Sequence, residues 1–349
     1  MANNPLQHYA TSPADWRKTI RQNTNKTYVI IGIFFLMYCL IGLLVDMYVD
    51  SLAYPAAQPW QLFYALITFQ LFPLATIVMF GVAAISLFVA YTLHDQLMLL
   101  GTEYHEITPD TAQSASEQQL YNTVEEMKIA AGLRYMPKVY IINADYMNAF
   151  ASGYSEKSAM VAITRGLMDK LNRDELQAVM AHELSHIRHL DIKLTLTASL
   201  LANLIIMVLD MLFYNAMFSN RRDSENRSSN RLLTIIIIVR YLLPVISIIL
   251  LLYLSRTREL MADAGAVELM RSNEPLANAL IKISGDHVAH REAYAAAYAN
   301  TPHENVRREA YIFDPHQAGF QPLTSLNDLF STHPSLEARL AALGFKKKN

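Results

Sequence analysis

The sequence is almost devoid of cysteine. One cysteine, Cys39, occurs in 349 residues, so no disulfide can form within the chain. Zinc sites built from cysteine ligands are excluded for the same reason. Any metal ion bound by this chain must therefore be held by histidine and carboxylate side chains.

Charged residues are also scarce. Asp, Glu, Lys and Arg make up 17% of the chain and hydrophobic residues 52%, whereas soluble domains contain about a quarter charged residues. The formal net charge of −2 provides no basic face for phosphates, so nucleic acid is not expected as a partner. The composition therefore favours a membrane protein.

The chain also lacks internal repeats, low-complexity tracts and the features of a cleavable signal peptide. Its N-terminus begins with a long polar stretch, and the first apolar run has no small-residue cleavage site. We therefore expect that the first apolar run stays in the protein.

Four long hydrophobic runs are present, at about 28–49, 60–91, 194–218 and 232–254. The first two exceed the roughly 20 residues that a helix needs to cross the hydrocarbon, and Pro73 within the second predicts a kink. The last two runs favour membrane helices, with buried core helices as the alternative.

The distribution of Lys and Arg predicts which segments remain in the cytoplasm. Four basic residues precede the first run, and the next one is Lys128. The loop at 50–58 is therefore expected to be translocated, with both flanks cytoplasmic. The segment between the third and fourth runs conflicts with this rule if both cross, because it contains Arg221, Arg222, Arg227 and Arg231. Whether these two runs span the membrane fully stays open.

Two ionisable residues lie inside the last two runs. Asp210 lies eight positions before Phe218, and Arg240 lies eight positions after Leu232. In an antiparallel hairpin both would lie about 12 Å from the shared end, at about 1.5 Å per residue. Charges at such depth usually find a partner or a wet cavity. We therefore expect an Asp210–Arg240 ion pair, with separate contacts to water or protein as the alternative.

The segment HELSH at 182–186 has the residues of a metal site. Positions i and i+4 of a helix share a face, so His182 and His186 can present their imidazoles to one ion. Glu183 is placed to reach a water on that ion and to act as a general base. A histidine pair on a surface or between helices is the alternative interpretation.

A catalytic site of this kind needs a third protein ligand. The metzincin pattern requires Gly at position 189 and His or Asp at position 192, where this chain has His189 and Ile192. Asp191 lies five residues after His186, off the ligand face of a helix, and is interpreted as structural. Neither option therefore supplies the ligand.

The remaining candidate lies beyond the fourth run, in SRTRELMADA. Glu259 and Asp263 again occupy positions i and i+4 of a predicted helix. Glu259 can ligate the metal, and Asp263 can accept a hydrogen bond from a ligand imidazole. A solvated acidic face is the alternative. Since His186 precedes the third run and Glu259 follows the fourth, the two can meet at one ion only if the hairpin crosses the membrane twice or not at all.

Three motifs in this order, HELSHIRHLD, SRTRELMADA and FSTHPSLEARL, resemble the HtpX-type membrane zinc metalloproteases, relatives of the CAAX prenyl proteases. YIFDP at 311–315 and NAFASG at 148–153 are similar to that family as well, whereas Leu260 stands where it often has Tyr. The resemblance covers about residues 28 to 345. It implies a mainly α membrane protein with about four transmembrane helices and a cytoplasmic α+β zinc protease domain of gluzincin type.

The domain organisation expected on this basis has five segments. They are a cytoplasmic N-terminal segment (1–27), a transmembrane hairpin (28–92), the first half of the catalytic domain (93–193), a second hydrophobic hairpin (194–254) and the second half of the catalytic domain (255–349). The split catalytic domain would bring the HELSH histidines and Glu259 together.

The resemblance also implies roles for particular residues. One zinc ion per chain would be held by His182, His186 and Glu259, with Glu183 as the catalytic base. His333 would steady the oxyanion, and Arg339 would serve or brace the site. NAFASG would be an edge strand that binds substrate by strand addition, through Asn148, Ala149, Phe150 and Ala151.

The expected substrates are misfolded or damaged membrane proteins and unfolded polypeptides. The expected location is the bacterial inner membrane, with the active site facing the cytoplasm. A prenyl-protein protease is a rival interpretation, although seven crossings are usual there, and an inactive membrane scaffold is another.

His287, His290 and His303 invite a second metal site, but a surface helix is the preferred interpretation. The sequence gives no indication of whether the protein is a monomer or an oligomer.

Overall fold

The computed structural model describes residues 5–11, 15–99, 102–219, 227–300, 310–313 and 333–348. The helices are α1 (Trp16–Ala53), α2 (Pro59–Ile67), α3 (Leu74–Leu99), α4 (Ala115–Ala131), α5 (Arg165–Lys170), α6 (Arg173–Arg188), α7 (Asp191–Ser219), α8 (Arg227–Met270), α9 (Glu274–Ala289), α10 (Arg291–Asn300) and α11 (Leu336–Ala342). The strands are β1 (Tyr9–Thr11), β2 (Tyr104–Ile107), β3 (Lys138–Ile142), β4 (Ala149–Ser152), β5 (Met160–Thr164) and β6 (Phe345–Lys347).

The chain divides into two compact units. One comprises Tyr28–Ala90 and Leu194–Leu251, and the other comprises Met1–Thr27, Tyr91–Lys193 and Leu252–Asn349. Among the described residues, four helices are long and apolar enough to cross a membrane: Trp16–Ala53, Leu74–Leu93, Asp191–Phe218 and Leu232–Met270. The predicted number of membrane helices is therefore confirmed.

The second hydrophobic run differs from the prediction. Instead of one kinked helix, the run forms α2 and α3, separated by a non-helical segment in which Phe69 has a φ of 57°. Pro73 directly precedes the first residue of α3. Proline has no N–H and disfavours helical backbone in the residue before it, so the helix is broken here rather than bent.

The N-terminus of α3 is capped by a carboxylate from α1. Asp46 accepts hydrogen bonds from the backbone N–H of Ala75 at 2.6 Å and of Thr76 at 3.0 Å, and from the Thr76 hydroxyl at 2.7 Å. The first N–H groups of a helix have no intrahelical partner, and hydrocarbon offers them no water. The Asp46 side chain satisfies two of them.

The predicted ion pair in the second hairpin is confirmed. Arg240 Nε donates to Asp210 Oδ1 at 2.7 Å. The guanidinium carbon also lies 4.2 Å from the centre of the Phe213 ring, a distance at which cation–π attraction adds to the pairing.

Removing either charge of this pair is expected to destabilise the protein, because it leaves the other charge without its partner. We expect Arg240→Met or Asp210→Leu to lower the melting temperature of the detergent-solubilised protein by several degrees. The exchange Asp210→Arg with Arg240→Asp should recover most of that loss. A doubly exchanged protein that melts as low as the worse single variant would show that the pairing contributes nothing.

The second unit contains a four-stranded sheet with the order β2-β3-β5-β4. β3 and β5 are parallel, whereas β2 and β4 run antiparallel to their neighbours. Helices α4, α6 and α9 pack on this unit around one apolar core, to which Leu120, Val161, Val179 and Ile283 contribute. β1 and β6 form a separate antiparallel pair. The predicted combination of membrane helices with a small α+β unit is therefore confirmed.

Helix α6, which carries HELSH, begins at a reciprocal cap. Asn172 Oδ1 accepts from the Glu175 N–H at 2.9 Å, and Glu175 Oε2 accepts from the Asn172 N–H at 3.0 Å. This reciprocal pair is a capping box, for which the Asn172–Glu175 spacing of three is typical. The helix ends at Arg188, and Leu190 adopts a φ of 54°, which redirects the chain before α7.

Candidate metal centre

Three side chains from α6 and α8 converge at one point. His182 Nε2 lies 3.1 Å from His186 Nε2 and 3.7 Å from Glu259 Oε2, and His186 Nε2 lies 3.4 Å from Glu259 Oε1. Among the described residues, this is the one group of histidine and carboxylate side chains that could hold a metal ion. The structure thus brings together the three predicted ligands, although 73 positions separate His186 from Glu259.

These distances fit a tetrahedral zinc ion. Zinc bonds of about 2.0–2.1 Å to nitrogen and oxygen place neighbouring donor atoms about 3.3 Å apart. Glu259 Oε2 is buried and has no hydrogen-bond partner among the described residues. Two imidazole nitrogens face each other here, and their lone pairs repel unless a cation lies between them. The donor set therefore suits a divalent metal ion.

The outer nitrogen of His182 is held by a carboxylate. Asp263 Oδ1 lies 3.0 Å from His182 Nδ1, which is the contact expected for Asp263. Arg339 binds the same carboxylate through Nε at 2.9 Å and Nη2 at 2.6 Å, and its Nη1 donates to the Ile312 carbonyl at 2.6 Å. The carboxylate favours a proton on Nδ1 and so leaves Nε2 with its lone pair toward the metal position.

His186 has an equivalent support that sequence reasoning missed. Asp191 Oδ2 lies 2.7 Å from His186 Nδ1, and Arg258 forms an ion pair with the other Asp191 oxygen. Asp191 is not a ligand, as expected, but it contacts one directly. The helix break at Leu190 turns Asp191 back toward α6, and the helical spacing on which the interpretation depended does not hold across that break. The sequence contains one signal for this contact: Arg258, a basic residue next to the predicted ligand Glu259, is a candidate partner for Asp191.

Glu183 lies beside the ligands. It is fully buried, and neither carboxylate oxygen meets a hydrogen-bond partner among the described residues. Burial raises the pKa of this carboxyl well above its usual value, and the nearby Glu259 raises it further, whereas Arg339 and the Ala151 backbone lower it. Burial also lowers the pKa of His182 and of His186, which favours the neutral form that a metal ligand requires.

A glycine permits the close approach of α6 and α8. A Cβ atom on Gly265 would lie 2.0 Å from the Ser185 hydroxyl oxygen and 2.9 Å from its Cβ. A larger residue would push the two helices apart and move Glu259 away from the histidines. Gly265 directly follows the SRTRELMADA segment, and the sequence alone does not reveal its role.

His333 and part of its motif also reach the site. Its buried Nε2 lies 3.8 Å from Glu259 Oε1. The motif residues Phe330, Ser331 and Thr332 lie outside the described residues, as do Asp314 and Pro315 of YIFDP. The structure therefore places His333 beside the predicted ligands.

NAFASG forms an edge strand, as expected, but part of its free edge is already occupied. Phe150 makes an antiparallel bridge with Tyr311, and the Ile312 N–H donates to the Ala149 carbonyl at 2.9 Å. The Ala149 carbonyl is therefore already paired, and the expectation that a substrate segment adds to this strand stays a prediction. The occupying segment is distant in the chain, so spacing could not reveal it.

The side chains of Asn148 and Phe150 point into the protein rather than toward a substrate. Asn148 Nδ2 donates to the Phe313 carbonyl at 3.0 Å and to the Tyr298 hydroxyl at 3.1 Å. The Thr164 N–H donates to the Asn148 carbonyl at 2.9 Å, so the backbone of Asn148 faces β5. In an antiparallel pair the alternate residues, Ala149 and Ala151, direct their backbone groups outward.

The expectation of a surface helix at the histidines after α8 is wrong at His287, which lies on α9 and is fully buried. It holds at His290, whose side chain is 54% exposed. His303 lies outside the described residues. His287 is buried because its ring packs against Tyr298 and Phe313, which come from other segments of the chain.

A buried HExxH helix, a glutamate from a later helix and membrane-length apolar helices together define a membrane metalloprotease. The model of "Peptidase family M48" matches residues 114–345, so the chain belongs to peptidase family M48. It is similar to "Protease HtpX homolog" of Helicobacter pylori, with 39% identity over 94% of this chain and 98% of the relative. The relative of the same description from Dictyoglomus thermophilum is 32% identical over 95% of each chain.

One solved structure also aligns with the chain. The crystal structure of S. mikatae Ste24p covers 96% of this chain and 68% of its own, with 17% identity and a TM-score of 0.46. The family assignment depends on the sequence relatives. The expectation of an HtpX-type membrane metalloprotease is confirmed by them.

Proposed function

We propose that this protein is a zinc endopeptidase that hydrolyses peptide bonds of misfolded or damaged membrane proteins and unfolded polypeptides. The observation that carries the proposal is the convergence of His182, His186 and Glu259 next to the buried carboxylate of Glu183. One zinc ion would be held by the three ligands, with Asp263 and Asp191 orienting the two imidazoles.

The chemistry divides between the metal and the surrounding side chains. When bound, zinc supplies a Lewis acid that polarises the peptide carbonyl and makes a water acidic. Glu183 takes the proton of the attacking water and then delivers it to the leaving amine. The His333 ring lies beside Glu259, where a ring N–H can stabilise the negative charge that develops on the carbonyl oxygen.

The substrate would bind in extended form beside β4. Residues 311–313 occupy the strand edge beside Ala149 and Phe150, so the substrate would add at Ala151, the next residue of β4 whose backbone groups face away from β5. Binding through main-chain hydrogen bonds requires no particular side chain. This mode suits a protease that acts on many different unfolded polypeptides.

The rival activities receive no specific support from the structure. A prenyl-protein protease remains the alternative within the same chemistry, and an inactive scaffold is the alternative outside it. The carboxylates that contact the two histidines, Asp191 and Asp263, are both present, and so is the buried Glu183. This favours an active enzyme over a scaffold. Cleavage of an unfolded polypeptide without a prenyl group would favour the proposed activity over both alternatives.

Removal of the metal is expected to abolish peptidase activity. Treatment of the purified protein with a zinc chelator should reduce hydrolysis of labelled casein to background, because the ligands alone cannot activate water. One equivalent of zinc should restore activity, and the metal content should approach one ion per chain. Undiminished hydrolysis after the metal has been removed, verified by elemental analysis, would contradict the proposal.

We propose further that the protein lies in the bacterial inner membrane with its active site facing the cytoplasm. The basic residues before the first apolar run support this orientation. In a Cys39→Ser background, a membrane-impermeant thiol reagent should label Ala56→Cys in cells with a permeabilised outer membrane. It should label Ser116→Cys only after the inner membrane is opened; both positions are exposed. The reverse pattern would refute the orientation.

A further inference from the structure

A buried chain of hydrogen bonds connects α9 and α10 with the edge strand β4. His287 Nδ1 lies 2.9 Å from the Ile283 carbonyl, and His287 Nε2 lies 3.2 Å from the Tyr298 hydroxyl. The Tyr298 hydroxyl in turn lies 3.1 Å from Asn148 Nδ2. His287 and Asn148 are fully buried and Tyr298 is 7% exposed, so water does not replace these contacts.

The donor and acceptor of each hydrogen bond in this series follow from the contact between His287 and the Ile283 carbonyl. A carbonyl can only accept, so His287 Nδ1 carries the proton, and burial lowers the pKa of this ring to about 4, which keeps it neutral. His287 Nε2 must then accept from the Tyr298 hydroxyl. The Tyr298 oxygen is left to accept from an N–H, so Asn148 must present its NH2 group to Tyr298.

This orientation of the Asn148 amide fixes two segments. Its Oδ1 accepts from the backbone N–H of Ala149 at 3.2 Å and of Phe313 at 3.3 Å, while Nδ2 also donates to the Phe313 carbonyl at 3.0 Å. A reversed amide would place NH2 against two N–H groups. The amide therefore holds the start of β4 and residues 311–313 in one arrangement.

We propose that His287 and Tyr298 are positioning residues for substrate binding, which dictate the orientation of the Asn148 amide and thereby set where an extended polypeptide adds to β4. The inference rests on the proposed function, in which Ala151 offers its backbone groups to the substrate. Ala151 lies two residues beyond Ala149 on β4, the strand that packs against α6, and α6 carries Glu183. A shift at Ala149 therefore displaces the substrate relative to the catalytic base.

The chain offers a matched control for Tyr298. Tyr294 lies one turn earlier on α10, is 6% exposed, and also uses its hydroxyl in a hydrogen-bond network. Its partners are different: Lys170 at 2.8 Å, Asp286 at 2.7 Å and the Asp145 carbonyl at 3.2 Å. Tyr294→Phe and Tyr298→Phe thus remove the same atom from the same helix, but only Tyr298→Phe removes a partner of Asn148.

The test measures binding of fluorescently labelled casein to the zinc-loaded full chain in a Glu183→Gln background. We expect Tyr298→Phe to weaken binding about ten-fold, equivalent to about 1.4 kcal/mol, and Tyr294→Phe to change it less than two-fold. In the active protein, Tyr298→Phe should raise KM by a similar factor with little change in kcat. His287→Phe, which removes the acceptor of the Tyr298 hydroxyl, should act in the same direction.

A double-mutant cycle identifies the route of the effect. Tyr298→Phe added to Asn148→Ala should weaken casein binding no further than Asn148→Ala alone, because both changes act through the same amide. Equal effects of Tyr294→Phe and Tyr298→Phe, or additive effects in the cycle, would overturn the inference while leaving the peptidase intact. Failure of the unsubstituted, zinc-loaded protein to hydrolyse casein would instead overturn the proposed function.

Discussion

Glu183→Gln is expected to lower kcat for casein hydrolysis by about 10²–10⁴, the usual contribution of a general base. Glutamine has nearly the same shape but cannot take a proton from water. Glu183 is fully buried, and the carboxylate that acts on it, that of Glu259, is itself one of the predicted ligands. Zinc content should stay at one ion per chain, because Glu183 is not among the three converging ligands.

The control for this prediction is Glu126→Gln, since the Glu126 side chain is 45% exposed and pairs with Arg173 at the surface. It should leave kcat unchanged. A Glu183→Gln protein that retains more than a tenth of the wild-type kcat would show that another group accepts the proton. Such a result would remove Glu183 from the mechanism but not the metal site.

Glu259→Gln is expected to weaken zinc binding by more than about 100-fold. Loss of a residue that merely orients a ligand already costs about 10–100-fold in metal affinity, and Glu259 supplies a donor atom and a negative charge. The measurement is competition for zinc with a chromophoric chelator. Activity at limiting zinc should fall in parallel.

Glu268→Gln is the matched control on the same helix. Glu268 pairs with Arg188 at 3.1 Å and lies outside the converging group, so its substitution should leave zinc affinity unchanged. Zinc that remains bound as tightly to Glu259→Gln as to the unsubstituted protein would mean that a different residue provides the third ligand.

Local sequence patterns were sufficient for features that depend on neighbouring positions. The capping box of Asn172 and Glu175 needs only a spacing of three. The shared face of His182 and His186 needs only a spacing of four, and the apolar runs need only length and composition. The Asp210–Arg240 pair was also predictable, because an antiparallel hairpin relates depths by counting from the turn.

The sequence was insufficient wherever the backbone departs from regular helix or strand. Counting along a helix placed Asp191 away from His186, but the positive φ of Leu190 ends that helix and brings the two side chains to 2.7 Å. Pro73 predicts only a kink within one helix, whereas the structure has a complete break between α2 and α3. The surface helix expected around His287 is instead part of a buried cluster, since burial depends on what other segments pack against it.

The sequence by itself determined the class of this protein, a membrane metalloprotease. Its predicted ligand histidines and predicted base lie within five consecutive residues, which helical geometry alone aligns. Only the tertiary structure decided the surroundings of that chemistry. The Arg258–Asp191 support, the segment 311–313 that occupies the edge of β4, and the path from His287 to Asn148 all join residues from distant parts of the chain. Contacts of this kind arise from the packing of whole elements, and no local spacing encodes them.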